Sequence, residues 1–243
     1  DLSVNEWSGL SVNPATFTAT YDAWNRLVKL SDESGTVQEN QYDGRGYRTI
    51  RQSYTAGTLS ETRHYYYTDA WQVVEERLGT DTTPDRQFTW GVRYIDDLVL
   101  RDRSVSGTLD ERLYSLQDAN WNVTAVVDDT GAVAERYEYD PYGVKTVLDD
   151  SFAPQDPTTL DWETTYAGYR WDIGTQLFAV RNRVYEPRLG LWLTRDPIGS
   201  DQSNLYEYVI SSPIGLLDPW GLEELAWPAS MDADAARYYA FQQ

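Results

Sequence analysis

The chain has no cysteine, which excludes disulfide staples, thiolate-held zinc, iron–sulfur clusters and thiol catalysis together. Its only histidine is His64, so a Ser-His-Asp triad would have to run through that residue, and a zinc site would have to be built mostly from carboxylates. No apolar run approaches the roughly 20 residues that span a bilayer, and Asp1 begins no signal peptide, so membrane insertion is not expected. Basic charge is scarce as well: 20 Lys+Arg stand against 39 Asp+Glu, a formal net charge of −19. That field repels phosphate backbones and excludes nucleic acid as the main partner, while it suits a basic cargo.

What the chain does have is aromatic surface: 19 Tyr, 10 Trp and 5 Phe in 243 residues. Tyr and Trp fit pleated, half-wet sheets, where the ring packs and the polar tip reaches water. Alternation bounded by turn residues recurs throughout. RLVKL at 26–30, a turn at 31–35 and TVQENQY at 36–42 form one hairpin; 122–127, DDTG at 128–131 and 132–139 form another. HYYY at 64–67, WQVVEER at 71–77, RQFTW at 86–90 and DLVLR at 97–101 are further short strands. With no helical pattern between them, these strands predict an antiparallel all-β fold. The segment 149–165 lacks alternation and reads as an excursion before the strand pattern resumes at 166–188. The one helix signal is a short C-terminal one, capped by Ser230 and running to Tyr239.

A repeat is visible in Tyr21-Asp22-Ala23-Trp24-Asn25-Arg26 and Tyr42-Asp43-Gly44-Arg45-Gly46-Tyr47, and Tyr139-Asp140-Pro141-Tyr142-Gly143 repeats the head out of phase. A spacing near 20 residues suits one hairpin per repeat, with neighbours supplying the rest of each core. The open edges of such a strip call for an upstream strand or self-association. Asp1 opens amid the repeat pattern, so a longer parent is expected.

These repeats, followed by LYSLQDANWNVTAVVDDTGAVAERYEYDPYG, RNRVYEPRLGLWLTRDPIG, NLYEYV and LLDPWGL, resemble the RHS, or YD-repeat, family. The stretch 114–222 is similar to its RHS repeat-associated core domain. The resemblance implies a division into 1–113 (YD-repeat hairpins), 114–222 (core) and 223–243 (tail). It also implies an RHS-type spiral shell of β-hairpins around a C-terminal polypeptide, often a toxin. In many members the core domain cuts its own chain after the Leu of the last Asp-Pro-x-Gly-Leu, here between Leu222 and Glu223. The family's catalytic groups, one Arg and two Asp, fall on Arg183, Asp196 and Asp218. No cofactor or metal is implied, and a secreted or cell-surface location is.

The residue types suit the chemistry independently. Two carboxylates sharing a proton can hydrolyse a peptide, one activating water while the other protonates the carbonyl or the leaving amine, with a guanidinium stabilising charge. Turn chemistry alone also accounts for Asp-Pro and Pro-x-Gly: the Asp caps its own backbone, Pro presets φ and Gly accepts a positive φ. Asp140-Pro141 and Asp156-Pro157 are read as turns only. Departures from the family pattern at Glu186, Leu191 and Ser211-Ser212-Pro213, and the 21 residues beyond Leu222, leave a second reading open. It is a non-enzymatic adhesion or carbohydrate-binding surface module with a vestigial cleavage site. His64 reads as a strand surface residue, and the acidic pairs Asp96-Asp97, Asp128-Asp129 and Asp149-Asp150 read as solvated turns, since none follows the spacing of a calcium loop.

Overall fold

The computed structural model describes residues 17–155, 158, 160–198, 204–222 and the backbone of Leu225–Ala226. Twelve strands follow one another in a single antiparallel sheet, each beside its sequence neighbour. They are β1 (Thr18–Tyr21), β2 (Leu27–Asp32), β3 (Gly35–Tyr42), β4 (Arg48–Thr55), β5 (Thr58–Tyr67), β6 (Val73–Leu78), β7 (Arg86–Trp90), β8 (Leu98–Ser104), β9 (Leu109–Gln117), β10 (Val123–Val127), β11 (Val133–Tyr139) and β12 (Lys145–Leu148). The expected hairpins form, with Leu30 opposite Gln38 and Ala125 opposite Arg136. Among the described residues the sheet is open, since β1 and β12 each have one strand neighbour there. The C-terminal helix expected at 230–239 lies outside the described residues, as do Asp156, Pro157 and Glu223.

One device builds most of the turns. At Asp22, Asp43, Asp118, Asp128, Asp140 and Asp149 a carboxylate oxygen accepts the N–H groups of the second and fourth residues onward. Thr68 does the same with its hydroxyl. The third residue onward always takes a left-handed φ, whether it is Asn25, Gly46 or Gly143, which tolerate it, or Trp71 and Trp121, which do not prefer it. The residue just before the turn then reaches back to a carbonyl of the preceding repeat. Tyr42 donates to Leu27 O, Tyr67 to Arg48 O, Trp90 to Val73 O, Gln117 to Asp96 O and Tyr139 to Val123 O. Tyr-Asp is therefore one stitch per repeat. Tyr67-Thr68, Trp90-Gly91 and Gln117-Asp118 occupy the same position with other residue types, which is why Tyr139 looked out of phase in the sequence.

The described residues between 149 and 222 fold back over one face of this strip. They carry β13 (Arg170–Asp172), β14 (Leu177–Val180), β15 (Arg183–Glu186) and β16 (Leu191–Trp192) in a four-stranded sheet, and β17 (Leu216–Leu217), which pairs with β18 (Leu225–Ala226). The overlay reaches the length of the strip. Leu27 and Leu30 pack with Leu177 and Leu193 at one end, Trp162 packs among Tyr65, Phe88, Leu113 and Tyr137 in the middle, and Tyr139 and Tyr142 meet Tyr166 and Tyr185 at the other end. Between the apolar clusters the covered face is ionic. Arg48, Arg63, Arg86 and Arg101 are all buried, and each meets a carboxylate: Arg48 with Asp172 at 2.5 Å, Arg63 with Glu76 at 2.7 Å, Arg86 with Glu163 at 3.3 Å and Arg101 with Glu163 at 2.7 Å. Arg170 of the overlay returns the pairing to Glu76 of the strip, which is fully buried. Leaving any one of these charges unpaired in the interior would cost several kcal/mol, on the order of 3–5.

Candidate functional site

Arg183 opens β15 and is buried, with its guanidinium over the Trp192 ring, 4.1 Å from its centroid. Its Nη2 lies 2.8 Å from Asp218 Oδ2 and its Nη1 3.4 Å from Asp196 Oδ2, so one planar fork bridges two carboxylates from separate Asp-Pro motifs. The third donor, Nε, reaches the Gly221 carbonyl at 2.5 Å. The structure thus brings together Arg183, Asp196 and Asp218, the residues singled out by the resemblance.

Both aspartates also perform the turn chemistry that the sequence left open. Asp196 Oδ1 accepts the Ile198 N–H at 2.8 Å, and Asp218 Oδ1 accepts the Leu222 N–H at 3.0 Å. In each, one oxygen is spent on its own loop and the other faces Arg183. Asp218 is only 2% exposed, and its loop is pressed against the β14–β15 hairpin. At Gly221, φ is 64°, and a Cβ there would stand 2.9 Å from Val180 O and 3.2 Å from Arg183 N, so the approach admits only glycine. Leu222 packs against the cluster of Tyr94, Ile95 and Trp220. A cavity of about 350 Å³ beside the site is lined by Trp24, Arg26, Arg45, Arg183, Thr194 and Pro197 among others.

Other sequence candidates fall elsewhere. His64 sits mid-strand in β5, opposite Ile50 and Arg77 and away from this loop. Asp128 and Asp149 are half-buried turn residues that cap their own loops, and no group of three or more carboxylates or histidine among the described residues could hold a metal ion. Asp96-Asp97 corrects the sequence reading, because both are buried: Asp97 pairs with Arg93 at 2.5 Å and Asp96 with Arg181 at 2.6 Å. Burial pushes the Asp96 carboxyl up, against the pull of Arg181. Sequence reasoning missed Arg181, Asn182 and Tyr169, which also touch the Asp218 loop. The available signal was an arginine beside Asn182 in a two-residue hairpin turn, where small or flexible residues are usual.

No family model matches the chain. Over 221 residues, 88% of the chain, it is 29% identical to the tRNA3(Ser)-specific nuclease WapA of Bacillus spizizenii, of which it covers 9%. Over 103 residues, 42% of the chain, it is 37% identical to the toxin subunit YenC2 of Yersinia entomophaga, of which it covers 10%. Its fold matches a chain in the structure of the Photorhabdus luminescens Tc holotoxin pore with a TM-score of 0.66 at 21% identity, over 88% of this chain and 10% of that one. The chain therefore spans about a tenth of the length of these curated relatives.

Proposed function

The chain belongs to the RHS, or YD-repeat, family, and on that premise we propose that it is the C-terminal part of a toxin-related β-shell that cuts its own chain after Leu222. The motif-level division into 1–113, 114–222 and 223–243 is part of this reading, as are a secreted or cell-surface location and an enclosed C-terminal cargo. One observation carries it: Arg183 bridges Asp196 and Asp218 while holding the Gly221 carbonyl, one residue before the bond in question.

The reaction needs nothing beyond these groups and water. One carboxylate takes a proton from water as its oxygen adds to the Leu222 carbonyl carbon. The tetrahedral adduct collapses, the bond to the Glu223 nitrogen breaks, and the other carboxyl group gives its proton to the departing amine. Arg183 balances charge as it moves between the carboxylates. The products are a Leu222 carboxylate and a free Glu223 amine.

Denaturing intact-mass spectrometry on the chain with a tag fused beyond Gln243 tests this. A split at Leu222 in wild type that disappears in Asp196→Asn and in Asp218→Asn is the expected result. A single full-length mass at every pH from 4 to 8 refutes the proteolytic reading and leaves the surface-module one.

A further inference from the structure

Four consecutive carbonyls of the Asp218 loop are held in order by four side chains. Tyr169 Oη donates to Asp218 O at 2.7 Å, Arg181 Nη1 to Pro219 O, Asn182 Nδ2 to Trp220 O at 3.0 Å and Arg183 Nε to Gly221 O at 2.5 Å. The next carbonyl belongs to Leu222, the acyl side of the proposed cut. The ladder therefore fixes the path of the chain up to the atom that would be attacked.

Arg181 is the unusual rung. Val180 pairs directly with Arg183, so Arg181 and Asn182 are the two central residues of the hairpin turn, and Arg181 has a left-handed φ of 35°. A glycine would adopt that conformation freely, whereas a side chain there is strained. Its guanidinium is correspondingly well used. It donates to Asp96 Oδ1 at 2.6 Å as well as to Pro219 O, and lies over the Trp220 ring, 5.1 Å from its centroid. Asp96 belongs to the other layer, in the connection between β7 and β8, and is 2% exposed. The route runs without a gap from the strip, through Asp96 and Arg181, to the loop.

We propose that Asp96 and Arg181 are positioning residues that make cutting after Leu222 depend on the hairpin strip being folded against the loop. This rests on the aspartate reading given above. A strained arginine whose partners are one strip carboxylate and one loop carbonyl ties the geometry of the second to the presence of the first. Displacement of a reacting carbonyl by about 1 Å is enough to slow a positioned reaction by about 100-fold. An unfolded or half-folded shell would then retain its cargo uncut.

The test is the time course of cleavage of the full tagged chain on refolding from denaturant, read by intact mass. It compares wild type with Asp96→Asn, Arg181→Gly, Arg181→Lys and the double variant Asp96→Asn/Arg181→Gly. Thermal melts are run in parallel on each variant in the Asp196→Asn background. Expected are at least tenfold slower cutting in Asp96→Asn and Arg181→Gly, a double variant no slower than the slower single one, partial recovery in Arg181→Lys, and melts that remain cooperative. Wild-type rates in the single variants, with wild type itself cut, overturn the positioning role and leave the aspartate reading standing. Multiplied losses in the double variant, or slow cutting that follows a lost melt, overturn it as well. An uncut wild type overturns the aspartate reading and this inference together.

Discussion

All of the 20 basic residues except Lys29 and Lys145 are arginine, and the two lysines face different surroundings. Lys29 pairs with Glu39 at 2.9 Å on the strip. The Lys145 ammonium sits between the Tyr137 and Trp171 rings, 5.3 and 5.2 Å from their centroids, where burial pulls it down to about 8 against the field of Glu135. Its unfolded counterpart titrates at about 10.4. Between those values the unfolded chain binds more protons than the folded one, so stability rises with pH there, on the order of 2 kcal/mol for this group. Burial raises the hydroxyls of Tyr42, Tyr67 and Tyr166 among others, which takes stability away as pH approaches 10, so the lysine is read as a difference: in urea unfolding at pH 8 and pH 10, wild type should gain about 2 kcal/mol relative to Lys145→Met. A difference between the two chains that stays constant with pH overturns it. Gly221 makes a second residue-scale prediction. Gly221→Ala strains a left-handed φ and drives a methyl into Val180 O, so it should destabilise by about 1–3 kcal/mol in chemical denaturation and slow the proposed cut.

At the scale of elements, the docking of the overlay on the strip is decided by the ionic rows as much as by the apolar clusters. Asp172 of β13 accepts from Arg48 and Arg51 of β4, and these guanidinium groups hold its carboxyl well below the usual carboxylate range against the effect of burial. A carboxyl depressed in the fold contributes stability in full above its unfolded value of about 3.9 and loses it as pH falls further. Asp172→Ala should therefore cost about 3–5 kcal/mol at pH 7 in urea unfolding, and the difference from wild type should shrink below pH 4. Replacing the set together, Arg48→Met/Arg51→Met/Asp172→Leu, should recover most of the loss, because no charge is then left unpaired. These rows also mark where sequence reasoning stopped. The hairpins at 26–42 and 122–139 were legible because alternation and turn chemistry are local. Arg48, Arg86 and Arg101 follow the same alternation, but a charged residue on a strand ordinarily signals the wet face. Only the partners from 161–172, far away in sequence, make it the dry one. The site divides in the same way. Arg183, Asp196 and Asp218 stood out through their motifs, whereas Asp96 and Arg181 meet only once the two layers are stacked.

For the whole molecule, the two levels of organisation make opposite demands on unfolding. A strip of hairpins stitched only to its neighbours, as Tyr42 to Leu27 and Tyr67 to Arg48, should behave as a one-dimensional array and fray from β1 or β12 inward. The overlay opposes this by joining repeats that are not neighbours. Asp172 binds β4, Arg170 binds Glu76 in β6, and Glu163 binds Arg101 in β8. Each clamp must break before the strands between can separate, so local opening is linked to global unfolding. The uncleaved Asp196→Asn chain should accordingly unfold in urea as a single transition, coincident by far-UV circular dichroism and by tryptophan fluorescence. Asp172→Ala/Glu163→Ala removes two clamps and leaves the neighbour stitches intact, so the two probes should then part, with the loss of strand signal spread over a wider range of urea. If the double variant still melts in one coincident step, cooperativity resides in the stitched strip, and the overlay is carried by it rather than binding it together.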